Sequence, residues 1–252
     1  MYKDDYSAVA NAAKTKTEFL GKNPGAYFTA SMLAGAYVGV GVFLSYTIGN
    51  MLIGQPYAKI VMGASFSVAL SLIAMAGAEL FTGSNMVMAA GLFSKTIRLP
   101  ATLKLWVFCY IGNWLGSVAL AAVFLGTGLA SGSLGEFITA AAIDKTSLSF
   151  FPLFFRAILC NFLVCLAVWS YMRSKSESAR LIIIFWCMLA FVTTGFEHCV
   201  ANMTLLSLSL MTGGIGAVPY FYNIFSATLG NMAGGILFVA LPYFLVSGNG
   251  SK

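Results

Sequence analysis

Four stretches of this sequence, residues 25–58, 105–135, 157–172 and 211–251, contain no charged side chain, and residues 60–94 contain only Glu79. A helix needs about 20 apolar residues to cross bilayer hydrocarbon, so most of these stretches can span a membrane, and 157–172 can once flanking apolar residues join it. Composition points the same way. Hydrophobic residues make up 59% of the chain and charged residues 9%, with a mean hydropathy of +0.86; soluble domains carry roughly 25% charged residues.

Boundaries set at charges and at Gly, Pro and polar clusters define six spans, near 27–50, 60–93, 101–126, 150–172, 181–210 and 220–246. The predicted class is therefore an all-α integral membrane protein. The second and fifth spans exceed about 20 residues by a wide margin, so each must tilt, overrun the bilayer or break. With the N-terminus inside, the cytoplasmic side holds Lys3, Lys14, Lys16, Lys22, Lys95, Arg98, Lys104, Arg173, Lys175, Arg180 and Lys252, 11 of the 14 basic residues. That is the positive-inside arrangement, and Lys59, Lys145 and Arg156 fall on the other side. The expected location is the cytoplasmic (inner) membrane, with both termini inside. Topology and attraction to anionic lipid account for the net +6, and no nucleic-acid partner is expected.

Residues 1–22 are too polar, and too acidic at Asp4 and Asp5, for a signal peptide. Tyr2, Tyr6, Val9, Ala13, Lys16 and Leu20 recur at near-helical spacing. They predict an interfacial helix over 1–24 on the cytoplasmic surface, ahead of a pore domain over 25–248; a frayed polar tail is the alternative. The five cysteines lie inside spans without CxxC spacing and read as small core residues. Walker, Rossmann, zincin and nucleophile-elbow patterns are absent, and the chain has one histidine. No catalytic residue, metal or cofactor is predicted.

An internal repeat organises the chain. Gly77-Ala78-Glu79 recurs as Gly195-Phe196-Glu197, and the Gly112-Asn113 word ending at Gly116 recurs as the Gly230-Asn231 word ending at Gly234, both 118 residues on. Asn85-Met86 and Asn202-Met203 follow at 117. Two halves of three spans each are implied, about 25–127 and 150–248. Three spans is an odd number, so the second half enters from the opposite face, as an inverted repeat. The matched words interrupt the two overlong spans, which predicts helices 2 and 5 broken at mid-membrane.

Backbone groups freed in hydrocarbon cost several kcal/mol unless bonded or lining a cavity. Glu79 and Glu197 are expected to cap the freed N–H groups, with Asn202 beside them. His198 has no counterpart in the first half and is the candidate pore group, able to attract an anion, give it a proton or bar cations. Asn113, Asn161, Asn202 and Asn231 are each either interhelical ties or pore contacts, and the GxxxG words at Gly35, Gly112 and Gly230 indicate close helix packing.

Glu79-Leu80-Phe81-Thr82-Gly83, Gly195-Phe196-Glu197-His198-x-x-Ala201-Asn202-Met203 and the two Gly-Asn words together resemble the signatures of the formate/nitrite transporter family. The likeness covers the whole chain and is nearest to the family's clostridial hydrosulfide branch. It implies an aquaporin-like protomer, a homopentamer, and one pore per protomer for a small monovalent weak-acid anion, hydrosulfide first and formate or nitrite next. It also implies roles by motif. His198 is the central histidine, Thr82 the threonine of the first break, Asn161 and Asn231 the asparagines around it, and Lys145 a lysine near the outer vestibule. Phe66, Leu70, Leu80, Phe81 and Phe191 match the hydrophobic constrictions. The mechanism expected is that Lys145 and the basic mouth concentrate the anion, Thr82 and His198 bind it between the constrictions, and it crosses them as neutral acid. Two alternatives are a proton-coupled transporter on the same frame and a water or glycerol channel; the latter needs Asn-Pro-Ala at both breaks, which neither has.

Overall fold

The computed structural model describes residues 2–248, so Lys252, counted above among the cytoplasmic cations, lies outside them. The chain is all-helical among those residues. The helices are α1 Tyr2–Lys22, α2 Pro24–Met51, α3 Ala58–Phe66, α4 Val68–Leu72, α5 Phe81–Phe93, α6 Leu99–Gly126, α7 Gly132–Thr146, α8 Phe150–Arg173, α9 Glu177–Thr194, α10 Cys199–Met211, α11 Ala217–Gly235 and α12 Leu241–Val246. A π-helical turn, Ile73–Gly77, follows α4, and another, Ile236–Ala240, joins α11 to α12. Among the described residues six segments are long and apolar enough to cross a membrane: Pro24–Met51, Ala58–Gly77, Leu99–Gly126, Phe150–Arg173, Glu177–Thr194 and Ala217–Val246.

The second and fifth spans, overlong in the sequence, each contain a non-helical stretch. Gly77 and Gly195 take φ of +82° and +76°, the left-handed region that glycine enters without a Cβ clash. Ala78 and Leu80 after the first, and His198 after the second, are extended. The repeated Gly-x-Glu words thus mark places where the chain must leave one helix and re-aim before the next.

Helix α1 buries Tyr6, Val9, Ala13 and Leu20 of the stripe its periodicity defines, while Tyr2 at its start stays exposed. That face packs on α5, α2 and α12, so protein covers it rather than headgroups. Arg173 ties its start to α8, bonding Asp5 at 2.7 Å and lying over the rings of Tyr2 and Trp169. Helix α7 falls within 128–149, where the sequence pattern marks only a connection between the halves. Its glycines and charges mask the helix, and it buries little beyond Ile138 and Ala142, docking on α10, α2 and α11.

The GxxxG words bring helix backbones together. A Cβ on Gly116 would stand 1.9 Å from the Met32 carbonyl oxygen, and one on Gly35 2.0 Å from that of Asn113. Backbone cannot yield as a side-chain tip can, so Gly116→Ala is expected to cost at least about 3 kcal/mol, the upper end for overpacking. Thermal unfolding of the detergent-purified protein checks this; a wild-type midpoint would refute the close packing of α2 on α6.

Candidate functional site

The two non-helical stretches are held by matching sets of bonds. Asn113 on α6 accepts the Phe81 N–H at 2.9 Å and donates to the carbonyls of Glu79 and Ser31, both at 2.8 Å. Asn231 on α11 accepts the Cys199 N–H at 2.9 Å and donates to the carbonyls of Glu197 at 2.9 Å and Ala157 at 2.7 Å. The Glu79 N–H donates to the Ala30 carbonyl at 3.1 Å and the Glu197 N–H to that of Arg156 at 3.4 Å. These backbone groups, orphaned at helix ends, thus find partners inside the protein.

The capping roles read from the sequence therefore shift. The asparagine side chains bond the freed N–H groups, and the glutamate carboxylates pair with cations instead. Glu79 accepts from Lys16 and, at 3.3 Å, from the Tyr27 hydroxyl. Glu197, 3% exposed, accepts from Lys145 through both oxygens at 2.9 Å and from Asn202 at 2.7 Å. A carboxylate among apolar helices binds the full charge of a lysine in preference to a backbone dipole. Asn202 caps no helix: it also donates to Asn223 at 2.8 Å, and Asn223 donates to the Lys145 carbonyl at 2.8 Å. This ring locks α7 to α10 and α11. Burial of Lys145 alone would lower its proton affinity, but the Glu197 carboxylate outweighs that and raises it above the ordinary lysine value.

His198 is the N-cap of α10. Its Nδ1 accepts the Ala201 N–H at 3.1 Å, and its Nε2 lies 2.9 Å from Thr82 Oγ1. An Nδ1 acting as acceptor puts the ring proton of a neutral imidazole on Nε2. The Nε2–H then donates to Thr82, which leaves the threonine O–H free to donate onward. Both residues are buried. Asn161 supports this pair from behind, donating to the carbonyls of Thr82 at 3.2 Å and Asn231 at 2.6 Å.

Two cavities approach the pair. The first, about 510 Å³, is lined by Lys16, Glu79, Leu70, Ile73, Leu80 and Tyr171 among others. The second, about 590 Å³, is lined by Lys59, Lys145, Arg156, Glu197, Phe66 and His198 among others. Between them a neck of about 10 Å³ is bounded by Phe66, Leu70, Leu80, Phe191 and His198, barely the roughly 10–15 Å³ that one water requires. Leu70 and Leu80 belong to the first cavity and the neck, Phe66, Phe191 and His198 to the second cavity and the neck.

Four of the five constriction residues read from sequence thus meet at the neck. Phe81 does not. Its ring packs edge-on against Tyr110 at 4.9 Å, turned away because its N–H is anchored to Asn113. Thr82, Asn161 and Asn231 line neither cavity nor neck; Thr82 meets the neck through its bond to His198, and the two asparagines bond the Thr82 carbonyl and the Cys199 N–H behind it. The sequence reading missed Tyr27 and Asn223 as site residues, and missed Lys16 as the partner of Glu79. One signal was available, since Lys16 is a cation within the apolar stripe of α1.

Residues 3–245 match the family described as formate/nitrite transporter. The chain belongs to the formate/nitrite transporter family. This member is 37% identical to the nitrite transporter NirC of Salmonella typhimurium, over 97% of its own length and 91% of that protein's. A solved structure described as an FNT family ion channel superposes with a TM-score of 0.92 at 35% identity, covering 96% of this chain and 98% of that one. A pentameric formate channel with formate bound superposes with a TM-score of 0.78 at 28% identity, covering 94% and 98%. Membership of the formate/nitrite transporter family and six apolar spanning segments make this a multi-pass membrane transport protein.

Proposed function

We propose that this chain passes a small monovalent weak-acid anion across the cytoplasmic membrane, with nitrite and formate the first candidates and hydrosulfide the third. The observation that carries the reading is His198, hydrogen-bonded to Thr82 behind it, at a neck of about 10 Å³ between two cavities of about 510 and 590 Å³. The names of the NirC relative and of the formate-bound pentamer support nitrite and formate and a fivefold assembly. The Glu79 and Glu197 sites, each with its asparagine and its lysine, support an inverted repeat with helices 2 and 5 broken mid-membrane. The excess of basic residues on one face supports cytoplasmic termini, which makes the first cavity the inner vestibule and the second the outer.

A hydrated ion does not fit the neck, and a bare ion loses its hydration there at high cost. The anion therefore takes up a proton from hydronium in the vestibule, crosses as neutral acid while the free Thr82 O–H holds it by one hydrogen bond, and returns the proton to water on the far side. His198 orients that hydroxyl. Its single Nε2 proton is engaged with Thr82, and giving it up would leave an imidazolate, so the geometry supports selection and orientation rather than proton donation by the ring.

Flux of nitrite, formate, hydrosulfide and glycerol into proteoliposomes across a pH series tests the reading. The expected result is passage of all three weak acids, faster as pH falls toward their ionisation range, and exclusion of glycerol. Glycerol passage without the anions would replace it with a neutral-solute channel.

A further inference from the structure

The lysine that the family resemblance assigns to anion capture is already occupied. Lys145 Nζ lies 2.9 Å from both oxygens of Glu197, within the ring completed by Asn202 and Asn223. Two other cations face the same cavity, Lys59 at the start of α3 and Arg156 on α8. Both are exposed. Among the described residues neither makes an ion pair. The outer vestibule thus sets Lys59, Lys145 and Arg156 against Asp144 and Glu197, a cationic excess. The inner vestibule sets Lys16 against Glu79 and is balanced.

The excess has a definite origin in the repeat. The Glu79 N–H bonds the carbonyl of Ala30 and the Glu197 N–H bonds that of Arg156, so the two residues occupy corresponding places, and each lines its own vestibule. One half carries alanine where the other carries arginine. Loss of Lys59 and Arg156 would leave Asp144 and Glu197 facing Lys145 alone and turn the mouth anionic.

We infer that Lys59 and Arg156, rather than the paired Lys145, form the anion-collecting lip of the outer vestibule and set the external concentration at which a small carboxylate or oxyanion half-saturates transport. The inference rests on the anion-conducting reading above. Charges lining a low-dielectric cavity raise the local concentration of counter-ions and their rate of entry. They act over roughly 30 Å at 0.01 M salt and about 3 Å at 1 M. Neither residue touches the neck, so the maximal rate is not theirs to set.

The test is initial uptake of labelled formate into right-side-out vesicles at low and high ionic strength, for wild type, Lys59→Gln, Arg156→Gln and the double variant. Lys175→Gln, exposed and away from both cavities, serves as control. At about 10 mM ionic strength the double variant is expected to need about three- to tenfold more formate for half-saturation, with its maximal rate within about twofold of wild type. Near 1 M salt the difference should vanish. An unchanged half-saturation at low salt overturns the inference. A difference that survives high salt assigns the two residues to packing, and one that follows the anionic lipid content of the vesicles assigns them to headgroups; either result overturns it as well. Absence of formate uptake by wild type would instead defeat the conduction reading itself.

Discussion

His198→Phe is expected to reduce formate or nitrite flux into proteoliposomes by about ten- to a hundredfold while leaving the protein folded. The ring holds Thr82 through Nε2 and the Ala201 N–H through Nδ1, and phenylalanine does neither. Removing one partner of a buried hydrogen bond leaves the other unsatisfied at a cost of about 1–3 kcal/mol, and each 1.4 kcal/mol is about tenfold. The lost helix cap costs about 1 kcal/mol of stability. Thr82→Val should reproduce the flux loss with the histidine cap intact, and Thr82→Ser should retain most of the flux, because the hydroxyl is the donor offered to the substrate. Undiminished anion flux through His198→Phe would refute the role of the pair.

The largest stability effect is expected from Lys145→Leu. It leaves the Glu197 carboxylate, 3% exposed, with Asn202 as its remaining side-chain partner. Stranding one member of a buried ion pair costs about 3–5 kcal/mol, or roughly 6–20 °C of midpoint for a chain of this size. Adding Glu197→Gln should recover most of the loss, since an amide needs no counter-charge. Thermal unfolding in detergent reads both variants, and a Lys145→Leu midpoint at the wild-type value would show that the pair contributes nothing. The pH dependence has a fixed sign. Lys145 is raised in the folded protein, so its contribution is fully present below the ordinary lysine range and is lost as pH climbs through the raised folded value. At neutral pH the pair is intact.

Much of the site was visible as words. The glycines of Gly77-Ala78-Glu79 and Gly195-Phe196-Glu197 take left-handed φ where the chain leaves a helix abruptly, a conformation that favours a residue without Cβ. His198, Phe66, Leu70, Leu80 and Phe191 meet at the neck, and Thr82 bonds His198 beside it. Asn113 and Asn231 were visible as twins, but their use was not. An asparagine on an apolar helix ties backbone or faces a pore with equal ease, and only the position of the neighbouring helix end distinguishes the two.

What the sequence by itself determined follows from local physics. Long apolar runs with few charges mark the six spanning segments, since length and apolarity are properties of consecutive residues. Periodicity fixes the buried face of α1, and the repeat offset locates the paired interruptions. What only the tertiary structure decided is partnership: Lys16 with Glu79 across 63 residues, Lys145 with Glu197 across 52, and His198 with Thr82 across 116. Burying a carboxylate demands a counter-charge, but nothing along the chain says which cation arrives. Phe81 turning to Tyr110, and Lys59 and Arg156 keeping their charges unpaired, were settled in the same way, by which helices pack side by side.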